Sequence, residues 1–320
     1  MQTSFDLIWL SDYYEVMPRF FSVPILIVAL LGSFSAQAGT FRVATYNLES
    51  YLDEPTTSRA SKTLEAKARV RESIRTARPD ILALQEMGEV NALRELQDSL
   101  KKEGLDLPHW ELVSGPDTNI HVAILSKFPI TARRPHTNEN FLLGGRRHRV
   151  SRGFAEVDIQ LNPQYSITLI TAHLKSKRPV PEADESELRA QEARLLREKI
   201  EARLKADPSV NLVVLGDFNE TKDGPAIHVL IGGGRSKLVD TRPAERNGNA
   251  SSSPSAEGRN VTWTHYYARE DSYSRIDYIL LSPGLAREWV REETFIVAVP
   301  NWGQASDHRP LVATFEDEER

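Results

Sequence analysis

The stretch Val210 to Asn219 ends in two side chains that could do chemistry. Its sequence is Val-Asn-Leu-Val-Val-Leu-Gly-Asp-Phe-Asn. The apolar run has the pattern of a strand covered on both faces. It breaks at Gly216 and leaves Asp217 and Asn219 at the strand end. A polar pair there needs partners, because an unpartnered polar group out of water is costly. Metal ions and phosphates are such partners, and so are the backbone amides of an ordinary turn. The arrangement recurs at Asn47, Glu86, His173, Asp277, Asp307 and His308, each at or beside the end of an apolar run. Singly, each has a plain structural use. Glu86 can cap a helix, His173 can be a core histidine, Asp277 can pair with Arg275, and Asp307 can open a turn before Arg309-Pro310. Together they form the pattern by which α/β folds build a site along one sheet edge.

The elements that must hold these groups can be read from periodicity. Phe41 to Leu48, Pro79 to Glu86, His121 to Ser126, Phe154 to Ile159, Tyr165 to Ser176, Val210 to Leu215, Ser274 to Leu281, Thr294 to Val299 and Leu311 to Phe315 read as strands. The short turns among the middle strands imply antiparallel pairing. Ser61–Arg78, Glu89–Glu103 and Glu182–Lys205 read as helices, ended before Pro79, at Gly104 and before Pro208. The longest carries Leu188, Leu195, Leu196, Ile200 and Leu204 on one face, and its Glu- and Arg-rich opposite face reads as solvated. Residues 242–260 are rich in Asn, Gly and Ser and read as a flexible surface loop.

The chain has 320 residues, 40% of them hydrophobic and 27% charged, which suits a sizeable globular core. Its net charge of −5 gives no global cationic field, which argues against stoichiometric coating of nucleic acid but not against a catalyst touching a few phosphates. There is no cysteine, so thiolate metal sites, disulfides and cysteine nucleophiles are excluded. Residues 1–38 read as a leader region: Arg19, an apolar run from Phe20 to Leu31, and Ala36-Gln37-Ala38 are the parts of a signal peptide. Met17 is the expected start, cleavage is expected after Ala38, and residues 39–320 are expected to form a single domain. This places the protein outside the cytoplasm, secreted or periplasmic. An uncleaved membrane anchor is the alternative, although the run is short of the ~20 residues a span needs.

The motifs Ala44-Thr45-Tyr46-Asn47-Leu48, Leu84-Gln85-Glu86, Thr171 to Ser176, Gly216-Asp217-Phe218-Asn219, Arg275 to Ile279 and Ser306-Asp307-His308-Arg309-Pro310 occur in that order. In this ordered set the chain resembles the endonuclease/exonuclease/phosphatase superfamily of metal-dependent phosphodiesterases. The resemblance implies an α/β (α+β) fold, a four-layer α/β/β/α sandwich of two packed mixed β-sheets flanked by helices. It implies Glu86 as the main metal ligand, with Asn47 and Asp307 nearby. Such hard oxygen ligands favour Mg²⁺ or Mn²⁺ over zinc. It further implies His308 as general base oriented by Asp277, Asp217 at the attacking water, and Asn219 and His173 on the phosphate oxygens.

The substrate is less legible. Arg146, Arg147, Arg149 and Arg152, with Arg133, Arg134, His136 and His148 near them, form either a phosphate-binding arm or a solvated loop around Gly144-Gly145. Lys175 stands beside His173 and could also face a phosphate. This charge favours a polyanion, so nucleic acid is the expected partner of a monomeric nuclease. A lipid or small-molecule phosphodiesterase or phosphatase is the first alternative. A catalytically inactive binding module on the same fold is the second.

Overall fold

A computed structural model describes residues 39–247 and 262–319. The leader region, its cleavage point and most of the expected 242–260 loop lie outside the described residues. Strands and helices alternate along the chain as β1 (Thr40–Tyr51), α1 (Leu64–Ala77), β2 (Ile81–Met87), α2 (Val90–Lys102), β3 (His109–Val113), β4 (His121–Ser126), β5 (Ile130–His136), β6 (Asn140–Leu143), β7 (Arg146–Arg149), β8 (Phe154–Asn162), β9 (Tyr165–His173), α3 (Glu185–Ala206) and β10 (Leu212–Asp217). They continue as α4 (Pro225–Ile231), β11 (Val239–Asp240), β12 (Ala244–Asn247), β13 (His265–Tyr267), β14 (Ser272–Ser274), β15 (Asp277–Leu281), β16 (Trp289–Ala298) and β17 (Leu311–Glu316).

Two mixed sheets carry the fold. One has the order β12-β16-β17-β1-β2-β4-β3 and the other β11-β15-β10-β9-β8-β5. Their facing surfaces bury Val43, Ile81, Ala83, Ile124, Val157, Leu169, Val213, Leu215 and Ile279 between them. Helices α1 and α2 cover the outer face of the first sheet with Val70, Ile74, Leu93 and Leu96. Helices α3 and α4 cover the second with Leu196, Ile200, Ile227 and Leu230. This is the expected four-layer α/β/β/α sandwich, and because both faces of each sheet are covered, the central strands are continuous apolar runs.

One polar thread crosses this apolar interior. Thr45 Oγ1 on β1 donates to Gln85 Oε1 on β2 at 3.1 Å, and Gln85 Nε2 donates to Thr171 Oγ1 on β9 at 3.1 Å. All three side chains are fully buried. A closed buried network of this kind specifies one alignment of the two sheets, since sliding them would leave its members unpaired.

Three expectations need correction. Residues 244–247 are strand rather than loop, because β12 adds in parallel to β16 and Glu245 is buried against Arg309 at 3.6 Å. The charged side of α3 is not wholly solvated: Arg189, Glu192 and Arg197 are buried. Each has a specific partner, as Arg189 reaches Glu220 at 3.3 Å, Glu192 accepts the Lys175 and Ser151 amides, and Arg197 donates to the Leu230 carbonyl at 2.9 Å. Residues 140–149 are neither plain loop nor part of a main sheet but a separate hairpin, β6–β7, turned by Gly144 and Gly145 at positive φ.

Gly216 is where backbone geometry decides most. It sits at φ +140, and a Cβ there would lie 2.0 Å from the Ala172 carbonyl oxygen. The neighbour is backbone in a paired strand and cannot yield. Gly216→Ala is expected to cost about 3 kcal/mol or more by urea denaturation, and an unchanged midpoint would contradict the packing described. Glu156 gives a second check. Burial would raise its pKa, but His136, Arg134 and Arg203 outweigh burial and lower it from 4.5 to about 2. A depressed folded-state value contributes stability above pH 4.5 that is lost as pH falls towards 2. The stability of Glu156→Gln is therefore expected to be lower at pH 7 and flatter across that window, as measured by thermal melts.

Candidate active site

Strand register brings the chemistry together. β9 and β15 flank β10, which places His173 and Asp277 directly opposite Asp217 on its two sides. β1 brings Asn47 from the other sheet. One carboxylate oxygen, Asp217 Oδ2, is the meeting point. Asn47 Nδ2 donates to it at 2.9 Å and Asn219 Nδ2 at 3.2 Å, while His173 Nε2 lies 3.3 Å away and His308 Nε2 3.8 Å away. Asp217 Oδ1 accepts the Asn219 amide at 2.8 Å, which fixes the turn with Asn219 at φ 52. Asparagine tolerates that left-handed conformation better than most residues.

His308 is held from two directions. Its Nδ1 is 2.8 Å from Asp277 Oδ2. Its backbone amide donates at 3.0 Å to Ser306 Oγ, which itself donates to the Asn47 carbonyl at 2.8 Å. Thr264 Oγ1 accepts the amides of Ile276 and Asp277 at 3.2 Å each, steadying the carboxylate's strand. Arg275 leaves Asp277 free by pairing twice with Asp240, at 2.9 and 2.6 Å.

The local fields set distinct proton affinities. Burial would lower His308, but the Asp277 and Asp217 carboxylates outweigh it and raise the imidazole well above its ordinary value. His173 is driven well below its ordinary value by burial, then by the charges of Arg152, His308 and Arg59. Asp217 is raised by burial and by Asp277, with His308 and the amide donors pulling the other way. Asp217 and His308 therefore influence each other's protonation, beside a histidine held neutral. A water touching both His308 Nε2 and Asp217 Oδ2 fits beside their 3.8 Å separation.

A second group lies along the ends of β1 and β2. Both strands break register there, between Asn47 and Tyr51 and between Leu84 and Met87. Glu49, Ser50 and Glu86 all adopt positive φ, at 48, 60 and 56°. Strained backbone of this kind re-aims side chains at functional sites. Glu86 Oε2 accepts from Ser50 Oγ at 3.1 Å and Arg59 Nη1 at 3.0 Å. Partial desolvation, then the Asp307 and Glu86 carboxylates, raise the pKa of Glu49, with Lys62 opposing them. Burial would raise Asp307, but His265 at 3.6 Å and His308 at 3.9 Å lower it. Crowded carboxylates of this kind fit a divalent cation, and the donors are oxygens and imidazoles without thiolate. Glu86, Glu49 and Asp307 are the residues that would hold it. His265, Asp307 and His308 also offer ligand atoms within 4.8 Å of one another.

Of the expected residues, Asn47, His173, Asn219, Asp277 and His308 gather around Asp217, Asp307 lies beside His308, and Glu86 stands in the second group, while Asn47, expected near the metal, is bonded to Asp217 instead. Its side-chain Oδ1 accepts the Glu49 amide at 3.0 Å, so its side chain is committed to that turn and to Asp217. The basic residues divide. Arg146, Arg147 and Arg149 are exposed on the β6–β7 hairpin. Arg152 is buried and donates to the Leu174 carbonyl at 3.2 Å. Lys175 folds its ammonium onto the carbonyls of Ser176 and Arg178. Arg133 and Arg134 pair with Glu111 and Glu156. Sequence reading missed Glu49, Ser50, Arg59, Lys62 and His265. Glu49 had a signal, since it stands two residues beyond Asn47 where the strand leaves the sheet; the others had none.

A profile of the Endonuclease/Exonuclease/phosphatase family matches residues 44–308. No curated protein matches the chain. Among solved structures, sphingomyelinase C from Streptomyces griseocarneus is 17% identical with a TM-score of 0.57, the match covering 87% of this chain and 99% of that one. The human Nocturnin catalytic domain with bound sulfate is 14% identical with a TM-score of 0.57, covering 87% and 97%. Truncated TDP2 from Caenorhabditis elegans is 14% identical with a TM-score of 0.54, covering 87% and 97%. At these identities the likeness is one of fold.

The Asp277–His308 pair makes a directional prediction. Asp277 raises the histidine, so Asp277→Asn should lower its pKa and move the acidic limb of the kcat/KM profile to lower pH. The same change should reduce kcat by roughly 10²-fold or more. An unmoved limb would mean that Asp277 does not set the histidine's proton affinity.

Proposed function

The chain belongs to the endonuclease/exonuclease/phosphatase family of hydrolases acting on phosphate esters, and on that premise we propose that it is a divalent-metal-dependent phosphodiesterase acting on nucleic acid. The observation that carries the reading is the convergence of Asn47, His173, Asn219 and His308 on one oxygen of Asp217. In this mechanism His308 takes the proton of the attacking water, and Asp277 holds the imidazole in the required tautomer and stabilises its charge. Asp217 orients that water. Asn219 and the neutral His173 donate hydrogen bonds to the non-bridging phosphate oxygens. Glu86, with Glu49 and Asp307, would hold a divalent cation, Mg²⁺ or Mn²⁺, which would supply polarisation of the phosphoryl group and offset charge in the transition state.

The hairpin supports a polyanionic substrate. It rises between β5 and β8, whose facing residues His136 and Phe154 lie next to Ala172 and hence to His173. Arg146, Arg147 and Arg149 on it are exposed, so a strand of phosphates leaving the site passes cations. One feature favours a lipid substrate as the second reading: Leu142 on the same hairpin is 68% exposed beside those arginines, a combination suited to an anionic membrane surface. Trp302 is half-buried and packs on Trp263 with ring centroids 5.2 Å apart. Among the described residues no helix is long and apolar enough to cross a membrane. The leader-like sequence of residues 17–38 supports export as part of this proposal.

Turnover with Mg²⁺ on DNA, RNA, sphingomyelin vesicles and bis(p-nitrophenyl) phosphate tests the reading. Nucleic acid is expected to be cleaved fastest, with loss of activity in EDTA. Faster cleavage of sphingomyelin would favour the lipid reading, and no turnover of any substrate would leave a binding module. The triple variant R146A/R147A/R149A is expected to keep its rate on bis(p-nitrophenyl) phosphate. On DNA it should lose roughly 10-fold or more, and its salt slope should fall by about 2–3. An unchanged slope would remove the hairpin from the substrate path.

A further inference from the structure

The loop joining β1 to α1 is a closed unit that carries an arginine into the site. Thr56 and Arg59 bond reciprocally, through the Thr56 amide to the Arg59 carbonyl at 2.8 Å and the Arg59 amide to Thr56 Oγ1 at 3.1 Å. The Lys62 amide closes the loop base on the Leu52 carbonyl at 3.0 Å. Lys62 Nζ then fastens the loop to the Ala305 carbonyl at 2.8 Å, next to Ser306 and Asp307. At the tip, Arg59 turns inward. Its Nη1 donates to Glu86 Oε2 at 3.0 Å and to Ser50 Oγ at 2.8 Å, and Ser50 donates to the same Glu86 oxygen.

That oxygen is thereby filled, which leaves Glu86 Oε1 for other ligands. The remaining guanidinium donors, Nε and Nη2, have no protein partner among the described residues. The guanidinium bonds Glu86 directly, and its charge also reaches His173. A planar fork with one arm fixed and the others open matches two oxygens of a phosphoryl group. A purely structural arginine tying down a loop would be expected to spend those donors on backbone carbonyls, as Arg197 does at Leu230 and Ser236.

We propose that Arg59 is a catalytic residue of this site: Nη1 sets the orientation of Glu86, and the open donors bond a non-bridging oxygen of the phosphate lying between Glu86 and His173. The inference rests on the phosphoester chemistry proposed above and adds to it a cation delivered by a loop outside the strand-end motifs.

Calorimetric titration of wild type, R59A and R59K with MnCl₂ alone, and then with inorganic phosphate at saturating Mn²⁺, tests it alongside kcat and KM on bis(p-nitrophenyl) phosphate. R59A is expected to bind phosphate about 10-fold or more weakly and to lose about 10²–10³-fold in kcat, with Mn²⁺ affinity within about 5-fold of wild type. R59K keeps the charge without the fork and should fall between the two. Phosphate affinity and kcat of R59A within about 3-fold of wild type would overturn the proposal. So would a loss of Mn²⁺ affinity equal to the loss in kcat and reversed by excess Mn²⁺, because Arg59 would then act only through Glu86. Melting curves show whether R59A is folded, and if it is not, R59K decides on the same readings. Failure of the wild type to hydrolyse any phosphodiester would count against the proposed function, whereas the phosphate titration reads Arg59 directly.

Discussion

Two polar contacts between the sheets govern this molecule. Asn47 on β1 donates to Asp217 on β10, and just beneath them Gln85 joins Thr45 to Thr171. The core between the sheets is otherwise largely apolar and would tolerate small slips, because dispersion and burial are not directional. Hydrogen bonds in a dry interior do not tolerate slips, since a misplaced donor there costs about 1–3 kcal/mol. The sandwich can therefore be aligned to within a fraction of an ångström at the one place where groups from both sheets must cooperate.

The electrostatics follow from that alignment. A carboxylate at Asp217 is tolerable in a buried position because nitrogen atoms surround it. Two buried carboxylates raise His308 against its burial, while burial, then the nearby cations, lowers His173. Two histidines a few ångströms from the same oxygen are thus separated in proton affinity by their neighbours rather than by their own chemistry. Separation of this kind lets one side chain accept a proton while the other stays neutral.

The strands, the helices and the central polar groups were legible because they obey local rules. Asp217, Asn219 and His173 interrupt apolar runs, and a buried strand that ends in a polar residue announces itself. Arg59 and His265 were not legible, since they sit in irregular segments whose positions depend on closure of the whole chain. The Arg- and Glu-rich side of α3 misled for a related reason. Charge on a helix normally signals solvent, and only the folded chain reveals that Glu192 accepts the amides of Ser151 and Lys175. Among the clustered arginines, composition could not separate Arg152, inside the protein, from Arg146, Arg147 and Arg149 outside it. Burial separates them.

The position of β17 has a consequence for assembly. This strand, near the end of the chain, lies in the middle of its sheet, between β16 and β1, and the loop before it carries Asp307 and His308. A chain with β1, β2 and β10 in place but not β17 has an open seam beside β1 and no His308 next to Asp217. The cluster around Asp217 is accordingly completed only when β17 takes its place in the sheet. Local order in the first strands is thus not enough to build the site, because its last members arrive with a strand inserted into the middle of a sheet.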